Sequence, residues 1–568
     1  MTAQVAASAP AANARPKGGS EALVMGGSLA ALLLFLAVTV VLPLYALLSK
    51  SFENASGDFV GLANYAAYFG NPALAQSIGN SLFISLLSTA ITTVLAFLFA
   101  YGLSRSCMPG KGLFRAIATI PILAPSLLPA ISLVYLFGNQ GLLKHWMMGE
   151  SIYGPIGIVV GMVFFTLPHA IMILYTALSL ADARLYEAAQ VLGASRLKTF
   201  LTVTLPGVRY GLISTVLVVF TLVITDFGVP KVIGGRYNVL ATDVYKQVVG
   251  QQNFEMGAVV GMILLLPAAL AFLADRLVQR RQVSQLSARA VPYAPKPSRA
   301  ADWTWFVVCA LIAAFLIGLL GVAAYASFVR YWPYDLSLTL ANYDFTAVDP
   351  EGWRAWFNSL QMAAWTAVIG SAAVFAGAYL VEKGRGLAWL RSTVQLMAMV
   401  PLAVPGLVLG ISYIFFFNHP ANPLNGLMGT MAILVLCTVV HFYTVSHLTA
   451  VTALKQIDPE FEAVSASLKV PFYKTFWRVT VPVCLPTILD IALYFFVNAM
   501  TTVSAVVFLF GANTKLAAVS VLAMDDAGST AAAAAMAMMI VYTSAVVRGL
   551  HAIVSRLLQG RTHAWRKR

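Results

Sequence analysis

Charge is what this sequence has least of. Only 10% of its 568 residues are Asp, Glu, Lys or Arg, against about 25% in an average soluble domain. Hydrophobic residues make up 60% and the mean hydropathy is +0.81. That leaves too little polar surface to cover a water-soluble enzyme of this length, so a soluble multidomain reading is excluded. Cysteine is scarce as well. Cys107, Cys309, Cys437 and Cys484 lie far apart and no Cys-x-x-Cys occurs, which argues against a disulfide framework and against a zinc site. The seven histidines have no metal-ligand spacing, so neither a metal nor another cofactor is expected. Gly110-Lys111 is followed by Gly112 and lacks the rest of a phosphate-binding loop, so the chain itself is not expected to hydrolyse ATP. No nucleophile–base constellation stands out, which argues against a membrane enzyme.

What is abundant is apolar sequence in runs of about twenty residues, the length that crosses a bilayer as a helix. Twelve such runs lie near 24–48, 81–103, 117–137, 156–178, 211–227, 257–274, 306–328, 359–381, 396–417, 427–449, 488–510 and 531–547. The expected fold is an all-α polytopic membrane protein. Segments on the side of the N-terminus carry 28 Lys and Arg against 9 Asp and Glu, and the opposite loops carry 8 against 12. This positive-inside bias predicts that both termini are cytoplasmic. The basic surplus (Arg280, Arg281, Arg289 and the tail Arg566–Arg568) is then a topology and lipid-headgroup signal, not a nucleic-acid patch. The expected layout is a disordered tail over 1–22, a first half over 23–274, a cytoplasmic linker over 275–305, a second half over 306–548 and a basic tail over 549–568.

The two halves are similar. Asn80-Ser81-Leu82 recurs as Asn358-Ser359-Leu360, Ala100-Tyr101 as Ala378-Tyr379, and Lys198-Thr199-Phe200 as Lys474-Thr475-Phe476. Pro121-x-x-x-Pro125 before Ile131-Ser132 recurs as Pro401-x-x-x-Pro405 before Ile411-Ser412, and these prolines predict kinks in the third and ninth spans. Six spans return the chain to the same side, so the repeat is parallel. A pseudo-two-fold axis is expected along the membrane normal, with a translocation path between the halves.

The loop after the fourth span carries the most specific pattern. It runs Asp182-Ala-Arg-Leu-Tyr186-Glu187-Ala188-Ala189-Gln-Val-Leu192-Gly193 and ends at Thr204-Leu205-Pro206. Leu185, Ala188, Ala189 and Leu192 share a helical face, and Gly193 stands where a helix would end. The small Ala188 and Ala189 allow another protein to approach closely. In the second half, Asp458, Lys474 and Pro482 keep the flanks at an offset of 276. Ala463, Val464 and Ser465 take the Glu-Ala-Ala positions, and Lys469 replaces the glycine. Glu462 sits one residue early, about 100° around a helix.

Glu187, Ala188, Ala189, Gly193, Leu205 and Pro206 match the Glu-Ala-Ala, three residues, Gly, Leu-Pro signature, and here the chain resembles the permease subunits of binding-protein-dependent ABC importers. The resemblance implies that the two loops are coupling helices that seat in separate ABC ATPase subunits, expected as two copies of one. It also implies a periplasmic solute-binding protein and a bacterial inner membrane. The fused halves resemble the permeases of 2-aminoethylphosphonate and ferric-iron uptake. The former likeness is carried by Asp458-Pro-Glu-Phe-Glu-Ala-Val-Ser-Ala-Ser-Leu, Phe495-Phe-Val-Asn-Ala-Met-Thr-Thr-Val-Ser and Ala523-Met-Asp-Asp-Ala-Gly.

Candidates for the solute path are Asp226, at the outer end of the fifth span, and the polar run Asn498, Thr501, Thr502 and Ser504 in the eleventh. Two readings stay open for each. Asp226 is a path residue or a helix-end acid in water, and the polar run lines a cavity or bonds helix to helix. His169 and His441 read as packing residues and Asp490 as a helix-start acid. The rival of another class is an ion-coupled secondary transporter. It would need coupling acids or bases at mid-span, where this sequence has almost none.

Overall fold

The computed structural model describes residues 19–283, 291, 293–384 and 386–562. The expected disordered tail lies almost wholly outside these residues, as do Arg289 and Arg566–Arg568. The regular structure among these residues is helical apart from one short hairpin, Val329–Tyr331 with Asp335–Leu338. Among the described residues seven helices are long and apolar enough to cross a membrane, and five further helix pairs pass the same test together across a bend, giving up to twelve if each pair is one span.

The sharpest bends fall where the sequence has its prolines. Lys111–Leu123 meets Leu127–Phe137 at 100°, and Ala388–Ala403 meets Gly406–Phe417 at 113°. A residue before proline is pushed out of helical backbone. Ala124, before Pro125, has ψ 141, and Val404, before Pro405, has ψ 116. Three milder breaks, at Val208, Phe442 and Cys484, bend the fifth, tenth and eleventh spans by 63°, 55° and 77°.

The eleventh apolar run is not one helix. Its helix is Leu485–Thr501, and the apolar residues up to Phe510 fold as buried turns. The chain turns at Thr502 (φ −70, ψ 134), as it does at Asp226 (φ −71, ψ 135) in the first half. Hydrophobicity reports burial and cannot separate a buried turn from a buried helix. Asp490 also departs from its expected role: it lies beyond the first turn of its helix, and its Oδ1 is 3.1 Å from His551 Nε2.

The first span of each half packs on the other half. Glu21–Lys50 lies against the helices Trp353–Glu382 and Gly406–Phe417, and Tyr413 Oη donates to the Thr39 carbonyl at 2.9 Å. Arg299–Phe328 lies against Pro72–Arg105 and Leu127–Phe137, and Cys309 enters where Gly102 has no Cβ to exclude it. Accordingly one apolar core contains Leu29, Leu36 and Leu47 with residues of the second half, and the other contains Cys309, Ile312 and Leu316 with residues of the first. Each half is incomplete without a helix from its neighbour.

The repeated Asn-Ser pair has a structural use. Ser81 Oγ accepts from Leu240 N at 2.8 Å, and Ser359 Oγ accepts from Ala517 N at 2.8 Å, so each serine pairs the first N–H of a short helix, Leu240–Tyr245 or Ala517–Asp526. Asn80 Nδ2 donates to Asn238 O, and Asn358 Nδ2 donates to Asn513 O and Lys515 O. In the second half, buried Asp349 adds an ion pair to Lys515 at 2.7 Å and accepts from Ser520. Burial pushes the Asp349 carboxyl up, but the bonds from Lys515 and Ser520 outweigh it and hold it below the usual range.

Two outcomes follow. Ser81→Ala and Ser359→Ala each leave a buried N–H unpaired, a loss of about 1–3 kcal/mol; thermal unfolding in detergent should show similar downward shifts for both. Asp349's depressed carboxyl stabilises the fold above its unfolded pKa, and that contribution is lost as pH falls through the folded value. Wild type should therefore lose thermal stability on acidification more steeply than Asp349→Asn, as melting curves across an acid pH series would show.

Candidate functional site: two loop helices and the broken spans

The loop after the fourth span folds as the helix Ala183–Val191. Asp182 caps it, its Oδ1 accepting from Arg184 N at 3.1 Å. Its far end closes by bonds from Gly193 N to Gln190 O and from Ala194 N to Ala189 O, both 3.0 Å, with Gly193 at φ 68. This is the helix-ending turn that favours glycine. The loop after the tenth span folds as Glu460–Ser467 on the same bonds. Asp458 Oδ1 accepts from Glu460 N at 3.0 Å, Lys469 N donates to Ala466 O at 3.1 Å and Val470 N to Ser465 O at 2.9 Å. Lys469 takes φ 55, the conformation of Gly193, which costs a residue with a side chain about 1 kcal/mol or more. The two loops therefore share one backbone, in register without a gap.

Glu187, Ala188 and Gly193 are exposed, Ala189 is buried, and a Cβ on Gly193 would meet nothing within 4 Å. Val191 and Leu192 are 86% and 84% exposed. In the second loop Ala463, Val464 and Lys469 are exposed, Ser465 is half-buried, and Leu468 is 71% exposed. Each helix end thus presents aliphatic side chains with no cover from its own chain.

The inward face holds residues that sequence reasoning missed. Tyr186 Oη accepts from Arg105 Nη2 at 3.2 Å and donates to Thr204 Oγ1 at 3.1 Å. Its counterpart at offset 276 is Glu462, which pairs with Lys383 Nζ at 3.2 Å. Glu462 is therefore not a displaced signature glutamate. It is the second half's version of Tyr186, and Lys383 is its version of Arg105. The signal was there in the matching positions of Arg105 and Lys383 at the ends of the second and eighth spans.

The path candidates fall into two separate groups. Asp226 is half-buried in the break after helix Arg209–Thr225, accepts from Val229 N at 2.9 Å, and receives a bond from Ser126. Asn498 and Thr501 donate to carbonyls of their own helix, Tyr494 O at 2.8 Å and Val497 O at 3.0 Å. Thr502 is buried at the matching break, and Ser504 packs on Gly406 so closely that a Cβ there would collide with its Oγ. His169 packs near Phe165 and His441 against Phe442.

Contacts between the halves lie near both ends of the broken spans. Lys231 Nζ pairs with Asp526 Oδ1 at 2.9 Å and lies over the Tyr245 ring, while Tyr245 stacks on Phe508. At the other end Arg548 Nη2 donates to Thr119 Oγ1 at 3.0 Å. Asp525, beside the first pair, has a carboxyl pushed up to about 6 by burial and by the charge of Asp526.

Comparison with known proteins agrees with this geometry. The family described as binding-protein-dependent transport system inner membrane component matches residues 92–284 and again 371–560. A ferric transport system permease protein of Actinobacillus pleuropneumoniae is 27% identical over 510 residues, covering 87% of this chain and 73% of the relative. A spermidine/putrescine transport system permease protein of Haemophilus influenzae is 28% identical over 260 residues, covering 43% of this chain and 91% of the relative. A sulfate transport system permease protein of Nephroselmis olivacea is 25% identical over 253 residues, or 44% of this chain and 87% of the relative. The shorter relatives each correspond to about half of this chain, as a duplication requires. The chain belongs to the binding-protein-dependent transport system inner membrane component family, as a two-half permease of the multi-pass inner-membrane type.

Proposed function

We propose that the chain is a two-half membrane conduit of an ATP-driven importer in a bacterial inner membrane, with both termini cytoplasmic. ATP is hydrolysed by separate ABC subunits, two copies of one, and an external solute-binding protein delivers the cargo. Glu187, Ala188, Ala189 and Gly193 form one coupling contact; Ala463, Val464, Ser465 and Lys469 form the other. The observation that carries this reading is the pair of loop helices built on one hydrogen-bond frame, each with an uncovered aliphatic tip. Exposed aliphatic side chains beside small residues are what a partner's groove would bury. The proposed path residues are Asp226, beside the end of Arg209–Thr225, and Asn498, Thr501, Thr502 and Ser504, in and just beyond the matching helix Leu485–Thr501.

Two solutes are proposed. The first is 2-aminoethylphosphonate, supported by the segments around Asp458–Leu468, Phe495–Ser504 and Ala523–Gly528. Hydroxyl and amide groups such as those of Thr501, Thr502, Ser504 and Asn498 solvate both charges of a zwitterion. The second is ferric iron, favoured by the ferric permease relative that matches over 87% of this chain.

The loop reading predicts that Gly193→Trp abolishes uptake while the protein still inserts and folds, because the added ring projects outward into free space. Wild-type uptake by that variant, at equal amounts in the membrane, would sink the assignment. Gly193→Lys separates backbone from bulk: its left-handed turn is one that Lys469 already adopts, so it should fold and lose only the contact. For the solute, deletion should abolish growth on 2-aminoethylphosphonate as sole phosphorus source in a strain with no other route. Unchanged growth there, together with lost ferric-iron uptake, would transfer the assignment to iron.

A further inference from the structure

The chain joining the halves is not a loose tether where it is described. Val291 O accepts from Ala183 N at 2.8 Å, and Val291 N donates to Asp182 Oδ1 at 3.4 Å, so the linker is bonded to the start of the first loop helix. Two residues on, the Tyr293 ring lies 4.5 Å from the Tyr186 ring, centroid to centroid. The Arg105 guanidinium stands over both rings, at 4.6 Å from Tyr293 and 5.1 Å from Tyr186. Further along, Pro295 O faces Cys107 Sγ at 3.3 Å and Lys296 Nζ donates to Gln190 Oε1 at 3.4 Å. The segment then enters the seventh span through Asp302, whose Oδ1 accepts from Cys107 N at 2.6 Å and whose Oδ2 accepts from Ser298 N at 3.0 Å.

We propose that the linker at Val291 and from Tyr293 to Ser298 is a strap that positions the first coupling helix, with Tyr293 as its anchor on Arg105 and Tyr186. The proposal rests on the reading of Ala183–Val191 as a coupling helix. Pro295 and Pro297 stiffen the strap, since proline fixes its own φ and restricts the residue before it. The strap touches the face of the helix that carries Tyr186 and leaves Glu187, Val191 and Leu192 exposed for a partner. It thus adds a second route for motion. A push on the first loop helix reaches the fourth and fifth spans through the chain itself, and reaches Arg299–Phe328 through the strap. That span packs on the first half and on Thr530–Thr562 of the second. The second loop helix is held differently, by the Lys383–Glu462 ion pair, and Glu21 accepts from Phe472 N at 2.9 Å just beyond it. Arg105 thus holds the loop helix by its hydrogen bond to Tyr186 and holds the strap by its contact with the Tyr293 ring.

The test uses the whole importer in vesicles, with its ATPase and solute receptor, and reads solute uptake per ATP hydrolysed. Tyr293→Ala should lower that ratio at least about threefold, from loss of the ring–cation contact, and Tyr293→Phe, which keeps the ring, should restore it. A role confined to folding would lower the amount of protein and leave the ratio unchanged. If Tyr293→Ala fails to reach the membrane, Tyr293→Leu fills the space without a π face and is read by the same ratio. Equal ratios in the alanine or leucine variant and in wild type overturn the strap. Gly193→Trp run in parallel separates the two claims. If it is inactive while Tyr293→Ala couples normally, the strap alone is wrong; if it transports normally, the coupling-helix reading is wrong.

Discussion

A helix that stops or turns among lipid chains must still pair every backbone N–H and C=O it exposes. The helices of the fifth and eleventh spans end at Thr225 and Thr501 and lead into short buried helices and turns, and several polar residues of the apolar interior pair with the backbone of those connections. Asp226 takes the N–H of Val229 where the fifth span ends. Ser81 and Ser359 take the first N–H groups of Leu240–Tyr245 and Ala517–Asp526, the short helices beyond those ends. Asn80 and Asn358 serve carbonyls of the same connections. Remove these side chains and the connections lose partners for their N–H and C=O groups.

The duplication preserves positions more faithfully than residues. Ser214 donates to Asp275 at 2.5 Å between the fifth and sixth spans, and Asp490 meets His551 at the same two positions in the second half. The acid has changed helices. A similar exchange occurs at the third and ninth spans. Ser126 packs against Gly228 in the first half, and Gly406 packs against Ser504 in the second, with serine and glycine trading sides. A tight crossing needs one small partner and one that fills the gap, and either helix can supply either. Tyr186 with Arg105 and Glu462 with Lys383 follow the same rule, with an aromatic contact replaced by an ion pair.

That pattern explains what could be read from the chain alone. The all-helical membrane architecture, the proline bends and the repeat were legible because hydrophobic run length and proline act locally. The register of the second loop was legible too, since Asp458 and Lys469 hold the backbone of Asp182 and Gly193 at an unbroken offset. The end of the eleventh helix at Thr501 was not, because the apolar run continues through turns buried by the other elements. Glu462 looked like a misplaced signature residue because its partner, Lys383, is remote in sequence. The packing of each first span on the opposite half was invisible for the same reason: no local pattern in Glu21–Lys50 says which neighbour its apolar faces will meet.

That exchange of first spans bears on how two halves can move without separating. A half that owned all six of its spans could swing as an independent block. Here Leu29, Leu36 and Leu47 belong to a core made mainly by the second half, and Cys309 and Leu316 to a core made by the first. Parting the halves completely would strip the packing contacts of both cores, and in a bilayer it is such packing, not transfer from water, that holds helices together. Rocking about the interface avoids this, since the exchanged spans can tilt with the half they pack on while their ends pivot in the linker and loops. The polar contacts between the halves suit such a motion. Lys231 with Asp526 lies near one end and Arg548 with Thr119 near the other, so opening one end strains one contact while the other closes. A fused chain with exchanged first spans keeps its halves joined through both cores, whichever end contact is loosened.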